Sequence, residues 1–266
     1  MSAPCCVRAR PCRAPGYDGP MHFLQGRGIL LAAMFAFAVE LAAPAHAETG
    51  VPAMLTSAQI VEHMQQNKQA QTRELKEYKA LRHYAVEYRG FSSVIDARMD
   101  VEVSYEAATG KSFRIVSQSG SHLLCEKVLR RAVDSEKEAS QDQGSTALTQ
   151  ANYRFRLAGE ESVAGRRAYI LDVEPLTASK FLYRGKVWVD AADFAVVKME
   201  TVPAKSPSFW IARTLIHYTG AKTDGFWLPQ QVRSETKVRI GGTAVLTIDY
   251  GSYAVVPMPV VAAAGF

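Results

Sequence analysis

The sequence is poor in cysteine outside its N-terminal segment, because Cys125 is the only cysteine after Cys12. A disulfide within the remainder of the chain is therefore excluded, and an exported domain of this size would be stable through its apolar core alone. The excess of charge of one sign is also small, because 31 Lys and Arg are nearly balanced by 26 Asp and Glu. No basic stripe remains to indicate a nucleic-acid partner. A hydrophobic content of 48% excludes wholesale disorder.

Long apolar runs are missing except near the N-terminus, where residues 28–45 contain only Glu40 as a charged side chain. The unbroken apolar part, 29–39, has about 11 residues and is shorter than the roughly 20 that a membrane-spanning helix needs. An Ala-His-Ala sequence ending at Ala47 has the small-x-small pattern of a signal-peptidase site. The sequence therefore predicts a signal peptide over 1–47, cleavage after Ala47 and export to the periplasm.

The segment before Met21 differs from the n-region of a usual signal peptide, because it holds three cysteines and four prolines. Met21 begins a more typical signal, so we expect translation to start there. Cleavage would leave residues 48–266, which we expect to form a single domain. No cysteine follows the cleavage site directly, and we therefore expect a form without a lipid anchor.

Two stretches have the apolar spacing of helices. The first, 57–79, has a thin apolar stripe and can be capped by Thr56 or Ser57. The second, 121–139, begins with Ser121 as a capping residue and carries a broader apolar side. The polar residues that follow it predict a solvated helix end and a loop.

Most of the remaining chain alternates apolar and polar side chains with a period of two. In 98–105, for example, Met99 and every second residue after it are apolar, and their neighbours are polar. Turn signals such as Gly241-Gly242 separate the alternating runs, and about nine or ten strands fit this template. We expect an α+β, mainly β fold: a curled antiparallel sheet, or half-open β-barrel, with two helices covering its open side.

The apolar face of so wide a sheet must be hidden from water, at about 25 cal/mol per Å² of apolar surface. Two helices cannot cover it fully, so the sheet must curl and enclose either packed side chains or a cavity. The pattern leaves both outcomes open. The residues predicted to line the cavity are Tyr84, Val86, Tyr88, Met99, Val101, Val103, Phe113, Ile115, Phe155, Val187, Val189, Met199 and Ile248.

Neither a catalytic motif nor metal-ligand spacing is found in the sequence. His63 and the later histidines have no partner at H-x-x-x-H spacing. We therefore expect no metal, no cofactor and no enzymatic activity. Cys125 is interpreted as a small buried hydrophobe rather than a nucleophile.

Trp188 and the Phe209–Trp210 pair are aromatic residues outside the set predicted to line the cavity. Trp188 stands between Lys186 and Asp190 on the polar face of its strand, so we expect it at the surface or against a helix rather than in a cavity wall. Phe209 and Trp210 follow a Pro-Ser pair in a loop-like stretch, and we expect them to be tucked against the edge of the core.

The predicted elements follow the order of export signal, helix, three strands, helix, loop and strand meander. Two stretches, 181–210 and 225–236, are the most telling. Their characteristic residues are Gly185, Val187, Trp188, Val189, Asp190, Asp193, Phe194, Glu200, Trp227, Leu228 and Pro229. This order and these residues resemble the periplasmic lipoprotein-carrier superfamily, with its LolA–LolB–RseB-like fold. The resemblance implies a half-open barrel, closed by helices, that holds acyl chains in an apolar cavity.

Three functions are compatible with this interpretation. The first is an exported periplasmic carrier for lipoproteins or lipids, with an inner- or outer-membrane protein as a further partner. The alternative is a periplasmic sensor or regulatory domain that binds a protein. The third, an enzyme on the same scaffold, would require convergent polar groups inside the barrel, and the predicted inward faces offer little beyond tyrosine hydroxyls.

Overall fold

The computed structural model describes residues 55–206, 208–239 and 241–259. The predicted signal peptide and its cleavage site lie outside these residues. The helical elements are α1 (Ser57–Glu74), α2 over 122–141, and a single turn, α3 (Gln143–Thr146). The strands are β1 (Leu75–Arg89), β2 (Val94–Glu106), β3 (Gly110–Gly120), β4 (Tyr153–Val163), β5 (Arg166–Pro175), β6 (Tyr183–Asp190), β7 (Val196–Pro203), β8 (Ile211–Thr223), β9 (Phe226–Val238) and β10 (Thr243–Pro257).

All ten strands belong to one antiparallel sheet in the order β3-β2-β1-β10-β9-β8-β7-β6-β5-β4. The sheet is curled but unclosed, because β3 and β4 at its two edges do not pair with each other. The connection between these edges carries α2 and α3. The expected mainly β half-open barrel is therefore confirmed. Within the described residues, no helix has the length and apolar content needed to cross a membrane.

Helix α1 starts with a capping box, in which the Thr56 side chain accepts from the backbone of Gln59 and the Gln59 side chain accepts from the backbone of Thr56. It ends at Glu74, so the predicted end at 79 is wrong. Leu75 is already extended, and from Glu77 onward the chain pairs with both β2 and β10. The apolar residues Leu75 and Tyr78 are three apart, which is a helical spacing. Pairing with two neighbouring strands decides the outcome, and a register shift against β10 lies between Leu75 and Glu77.

Helix α2 consists of a helical turn (His122–Leu124), a π-helical turn (Cys125–Leu129) and a regular segment (Arg130–Gln141). The Ser121 side chain caps it by accepting from the backbone N–H of Leu124. The helix therefore occupies nearly the stretch predicted for it. The π-helical turn places the buried Cys125 against the sheet.

The inner face of the sheet carries two separate apolar clusters, one under each long helix. Leu129 and its neighbours on α2 pack against β1, β2 and β10, where Tyr84 and Met99 are fully buried. Ile60 and Met64 of α1 pack against β4, β5 and β6. The inner side chains of the central strands, in contrast, are mostly only half-buried. The two helices thus cover the two sides of the curled sheet more completely than its middle.

A third cluster lies on the outer face, and it corrects the expectation for Trp188. This side chain is buried against Ala168 and Val197, and its Nε1 donates to Glu161 at 2.7 Å. It is therefore neither at the surface nor against a helix, although it is outside the cavity wall as expected. Its burial follows from the small residues beside it on the adjacent strands.

The expectation that Phe209 and Trp210 are tucked against the core is wrong, because both are exposed. The two rings pack edge to face against each other instead of against the core.

Candidate functional site

A cavity of about 510 Å³, called the hollow below, lies between α1 and strands β6 to β9. Its volume falls within the range of roughly 300–1,000 Å³ that is typical of small-molecule sites. Its wall comes from α1, the segment after α3, one residue of β4 and the central strands. The lining residues are Met64, Gln65, Asn67, Lys68, Gln69, Gln71, Thr146, Ala147, Leu148, Thr149, Tyr153, Tyr183, Phe194, Ala195, Val196, Met199, Tyr218 and Trp227.

The part of the wall contributed by the sheet is apolar, with hydroxyl groups as its polar atoms. Met199 of β7 and Tyr218 of β8 pair across the two strands and line the hollow together. Burial raises the pKa of Tyr218 to about 12, and burial together with the nearby Glu136 raises the pKa of Tyr183. Both phenols therefore stay neutral at physiological pH. The surface suits a hydrocarbon chain, with donors available for a polar group attached to it.

One end of the hollow is held by Asp193 in the turn between β6 and β7. Its carboxylate accepts from Trp227 Nε1 at 2.9 Å and from Lys222 Nζ at 3.0 Å, which lowers its pKa. Its backbone carbonyl accepts from Asn67 on α1. Asp193 therefore links the helix, the β6–β7 turn and β9, and it fixes the position of the Trp227 ring at the wall.

A buried ion pair attaches α2 to the inner face of β1. The Arg82 guanidinium bonds to Glu136 and is only 1% exposed, and Tyr84 donates to the same carboxylate at 2.8 Å. Burial alone would lower the pKa of Arg82, but the charge of Glu136 and the surrounding tyrosines together outweigh it and raise the pKa. The guanidinium also lies over the Tyr250 ring, 4.4 Å from its centroid.

Two lysines near these groups are partly desolvated although both side chains keep contact with solvent. The surrounding protein lowers the pKa of Lys68, which lines the hollow. Partial burial and the positive charge of Arg82 lower the pKa of Lys111 to about 8, with a smaller effect from Lys68. Positive charge is thus available at the edge of the hollow, whose wall is otherwise largely apolar.

The thirteen residues predicted to line a cavity lie in four kinds of place. Met199 lines the hollow, and Tyr88, Phe113 and Phe155 are half-buried elsewhere. Ile115, on the edge strand, is exposed. The other eight are fully packed in the apolar clusters: Tyr84, Val86, Met99, Val101, Val103, Val187, Val189 and Ile248. Contact of any of these side chains with a ligand stays a prediction.

Sequence reasoning missed the ion pair and most of the hollow. Arg82 is two residues before Tyr84 and four before Val86, so the period-two alternation predicts that Arg82 lies on the same inner face as these two residues. Glu136 lies in a stretch interpreted as solvated, and no sequence signal separates it from its acidic neighbours. Among the described residues, no group of three or more His, Cys, Asp or Glu side chains is arranged to hold a metal ion.

Comparison with known proteins gives one family model, described only as an uncharacterised protein, which matches residues 136–257. No curated protein matches the chain. The chain is also similar, at low identity, to solved structures.

A DUF1329 family protein from Desulfovibrio piger is 14% identical, with a TM-score of 0.40 over 76% of this chain and 94% of that one. A LolA superfamily protein from Nitrosomonas europaea is 13% identical, with a TM-score of 0.33 over 77% and 96%. A domain from Vibrio parahaemolyticus, described as outer membrane lipoprotein-sorting, is 13% identical, with a TM-score of 0.35 over 73% and 91%. At this identity each likeness concerns the fold alone.

Proposed function

We propose that this protein is a periplasmic binding protein that carries an acyl chain, as part of a lipid or of a lipidated protein, in the hollow. The observation that carries the proposal is the apolar space of about 510 Å³ between α1 and the sheet. Apolar side chains that face a vacant space forgo the burial that stabilises a packed core. A hydrocarbon chain that fills the space would restore that burial.

The chemistry of the wall favours an acyl chain over a polar metabolite. Met64, Phe194 and Met199 offer flexible or flat apolar surface, and thioether side chains adapt to irregular ligands. The hydroxyls of Tyr183 and Tyr218 stay neutral, so neither supplies a charged partner for an ionic substrate. Lys68 at the edge of the hollow offers a positive charge to an anionic headgroup.

The location follows from the N-terminal segment. The apolar run 28–45 and the Ala-His-Ala sequence before residue 48 support export and cleavage after Ala47. A carrier in the periplasm would receive its cargo from one membrane and deliver it to a protein of the inner or outer membrane. The same resemblance that suggests a carrier suggests these partners, and neither enzymatic activity nor nucleic-acid binding is part of the proposal.

The direct test is binding of a fluorescent fatty-acyl probe to the mature chain. The variant Met199→Trp places a larger side chain into the hollow and should weaken probe binding by at least tenfold. The matched control is Glu200→Trp, which introduces the same side chain on the opposite face of β7. This variant should bind the probe like the native chain. Thermal melts of both variants show whether the fold is retained.

Two results would overturn the proposal. One is a folded native chain that does not bind the probe. The other is equal binding by the native chain and a folded Met199→Trp variant, because the probe would then occupy a different part of the surface.

A second candidate function, binding of a protein partner, is favoured by the edge strand β3. Its side chains are almost all exposed, including the apolar Ile115 and Val116. Unpaired edge strands are the usual place where an extended peptide adds to a sheet. This function predicts that the lipid-free chain captures a membrane protein and that Val116→Lys weakens the capture, whereas the Met199→Trp variant captures it unchanged.

A further inference from the structure

Three loops meet at one end of the sheet: 90–93 between β1 and β2, 204–206 with 208–210 between β7 and β8, and 239 with 241–242 between β9 and β10. The backbone N–H of Arg239 donates to the carbonyl of Trp210 at 2.8 Å and joins the second loop to the third. The Tyr88 hydroxyl donates to the carbonyl of Gly241 at 3.0 Å and joins the third loop to the end of β1. The loops therefore form one continuous surface.

The first and third loops also interlock through Gly241. Its φ of 110° lies in the region that favours glycine, and an added Cβ would overlap the Phe91 ring. The missing side chain thus gives the ring its place beside the backbone of the β9–β10 turn. Phe91 therefore contacts the β9–β10 turn at Gly241, while most of its side chain faces solvent.

This end of the molecule presents more exposed aromatic surface than any other described part. Phe91 is 92% exposed, Phe209 77% and Trp210 57%, and no other large hydrophobic side chain described is as exposed as the two phenylalanines. The rings of Phe209 and Trp210 lie edge to face, with centroids 5.6 Å apart. Single exposed apolar residues need no explanation, but a contiguous aromatic surface indicates an interaction site. We call Phe91, Phe209, Trp210 and Arg239 the aromatic rim.

The charged side chains of the three loops and of the residues directly beside them are all basic. The loops and the strand residues next to them contain Arg89, Lys205 and Arg239 and no acidic residue. Arg89 bonds to Glu87, whereas Lys205 and Arg239 are in no ion pair with another described residue. The Arg239 guanidinium lies 5.4 Å from the centroid of the Phe209 ring. Exposed aromatic rings and uncompensated positive charge are thus combined in one patch.

We propose that the aromatic rim docks on the surface of an anionic lipid bilayer. Phe and Trp rings are favoured at the boundary between headgroups and acyl chains, where an apolar body is buried beside polar groups. Arg and Lys near such a surface are attracted to anionic lipids, within the reach of electrostatic screening. A protein partner fits Lys205 less well than an anionic bilayer does, because lysine is depleted in protein interfaces. The assignment is independent of what the hollow binds.

Trp210 provides a built-in reporter for this docking. The chain has three tryptophans; Trp188 is buried and Trp227 is half-buried in the wall of the hollow. Vesicles of phosphatidylglycerol and phosphatidylcholine with brominated acyl chains should quench the emission of Trp210 on contact. The variant Trp210→Phe keeps an aromatic ring and should remove most of the quenched fraction.

Sedimentation with the same vesicles measures the affinity. The double variant Phe209→Ser/Trp210→Ser should lower the partition coefficient at least tenfold. Lys205→Gln/Arg239→Gln should reduce the preference for anionic over purely zwitterionic vesicles. The control is Leu81→Ser, which removes an exposed apolar side chain from the outer face of β1, eight residues from Arg89, and should bind like the native chain.

The proposal is overturned if the native chain does not sediment with anionic vesicles. It is also overturned if the folded Phe209→Ser/Trp210→Ser variant sediments as well as the native chain, or if quenching persists in Trp210→Phe. Binding of the acyl probe in the hollow should be unchanged in the rim variants. A failure of the rim proposal is therefore distinguishable from a failure of the proposed carrier function.

Discussion

Arg82 on the inner face of β1 is paired with Glu136 on α2, and the arginine is almost completely excluded from solvent. The pair joins the helix that covers one side of the curled sheet to the sheet beneath it. Tyr84 donates to the same carboxylate, so two strand residues depend on a single helix residue. The attachment of α2 is therefore polar at this point and apolar around Leu129.

Loss of the Glu136 carboxylate should destabilise the protein strongly. The variant Glu136→Ala leaves the buried Arg82 charge without its partner, and the free energy of unfolding should fall by about 3 kcal/mol. Glu138→Ala, two residues along α2, breaks only the exposed pair with Lys180 and should cost about 1 kcal/mol or less. Urea unfolding of both variants measures the difference, and equal losses would show that the buried pair does not hold the helix.

Asp190 should make stability depend on acid pH. Burial alone would raise the pKa of its carboxyl, but two hydrogen bonds from Arg166 and the backbone N–H groups of Asp193 and Ala192 lower it below the usual 3.8. The unfolded chain therefore binds more protons in acid than the folded chain.

The stabilisation from Asp190 is complete above the unfolded-state pKa and is lost as pH falls through the lower folded-state pKa. Asp190→Asn should lower the free energy of unfolding at neutral pH by about 2 kcal/mol and flatten its dependence on pH below about 4. Denaturant titrations across this range test the expectation. An Asp190→Asn variant that loses stability in acid as steeply as the native chain would contradict it.

Gly185 of β6 should be intolerant of a side chain. Its φ is 147°, and an added Cβ would overlap the carbonyl oxygen of Glu200 and lie 2.9 Å from Cα of Thr201. Gly159 has a similar φ of 150° with no atom within 4 Å of the added carbon. Gly185→Ala should therefore cost about 1–3 kcal/mol more than Gly159→Ala, and thermal melts that show no difference would refute the close approach.

The N-terminal segment predicts the mass of the exported chain. If export and processing follow the proposal, the form recovered from the periplasm begins at Glu48. Intact-mass measurement of that fraction reads the cleavage site directly. A periplasmic form that retains residues 28–45, or absence of the chain from the periplasm, would contradict the assignment of a signal peptide.

The sequence predicts the architecture because period-two alternation is a local property. The run 82–91 places Tyr84, Val86 and Tyr88 on one face, and a Gly-Gly pair predicts the turn before β10. The end of α1 was missed because Leu75 and Tyr78 are three residues apart, which is a helical spacing. Pairing with β2 and β10, which lie far away in sequence, selects the strand.

The hollow is less predictable, since its position depends on how far the two helices reach across the sheet. Val187 and Met199 are cross-strand neighbours with the same alternation, yet Val187 is packed under α1 and Met199 lines the open space. The partner of Arg82 depends in the same way on where α2 crosses β1. These are tertiary relationships that no local pattern in a single sequence contains.

Native mass spectrometry of the chain isolated from the periplasm tests the central claim most directly, because it detects cargo acquired in the cell without a chosen probe. The account predicts native complexes heavier than the polypeptide by the mass of an acyl-bearing lipid or lipopeptide. It predicts that a folded Met199→Trp variant has lost this mass and that Glu200→Trp retains it. A native chain that always has the mass of the polypeptide alone would contradict the claim that the hollow carries an acyl chain.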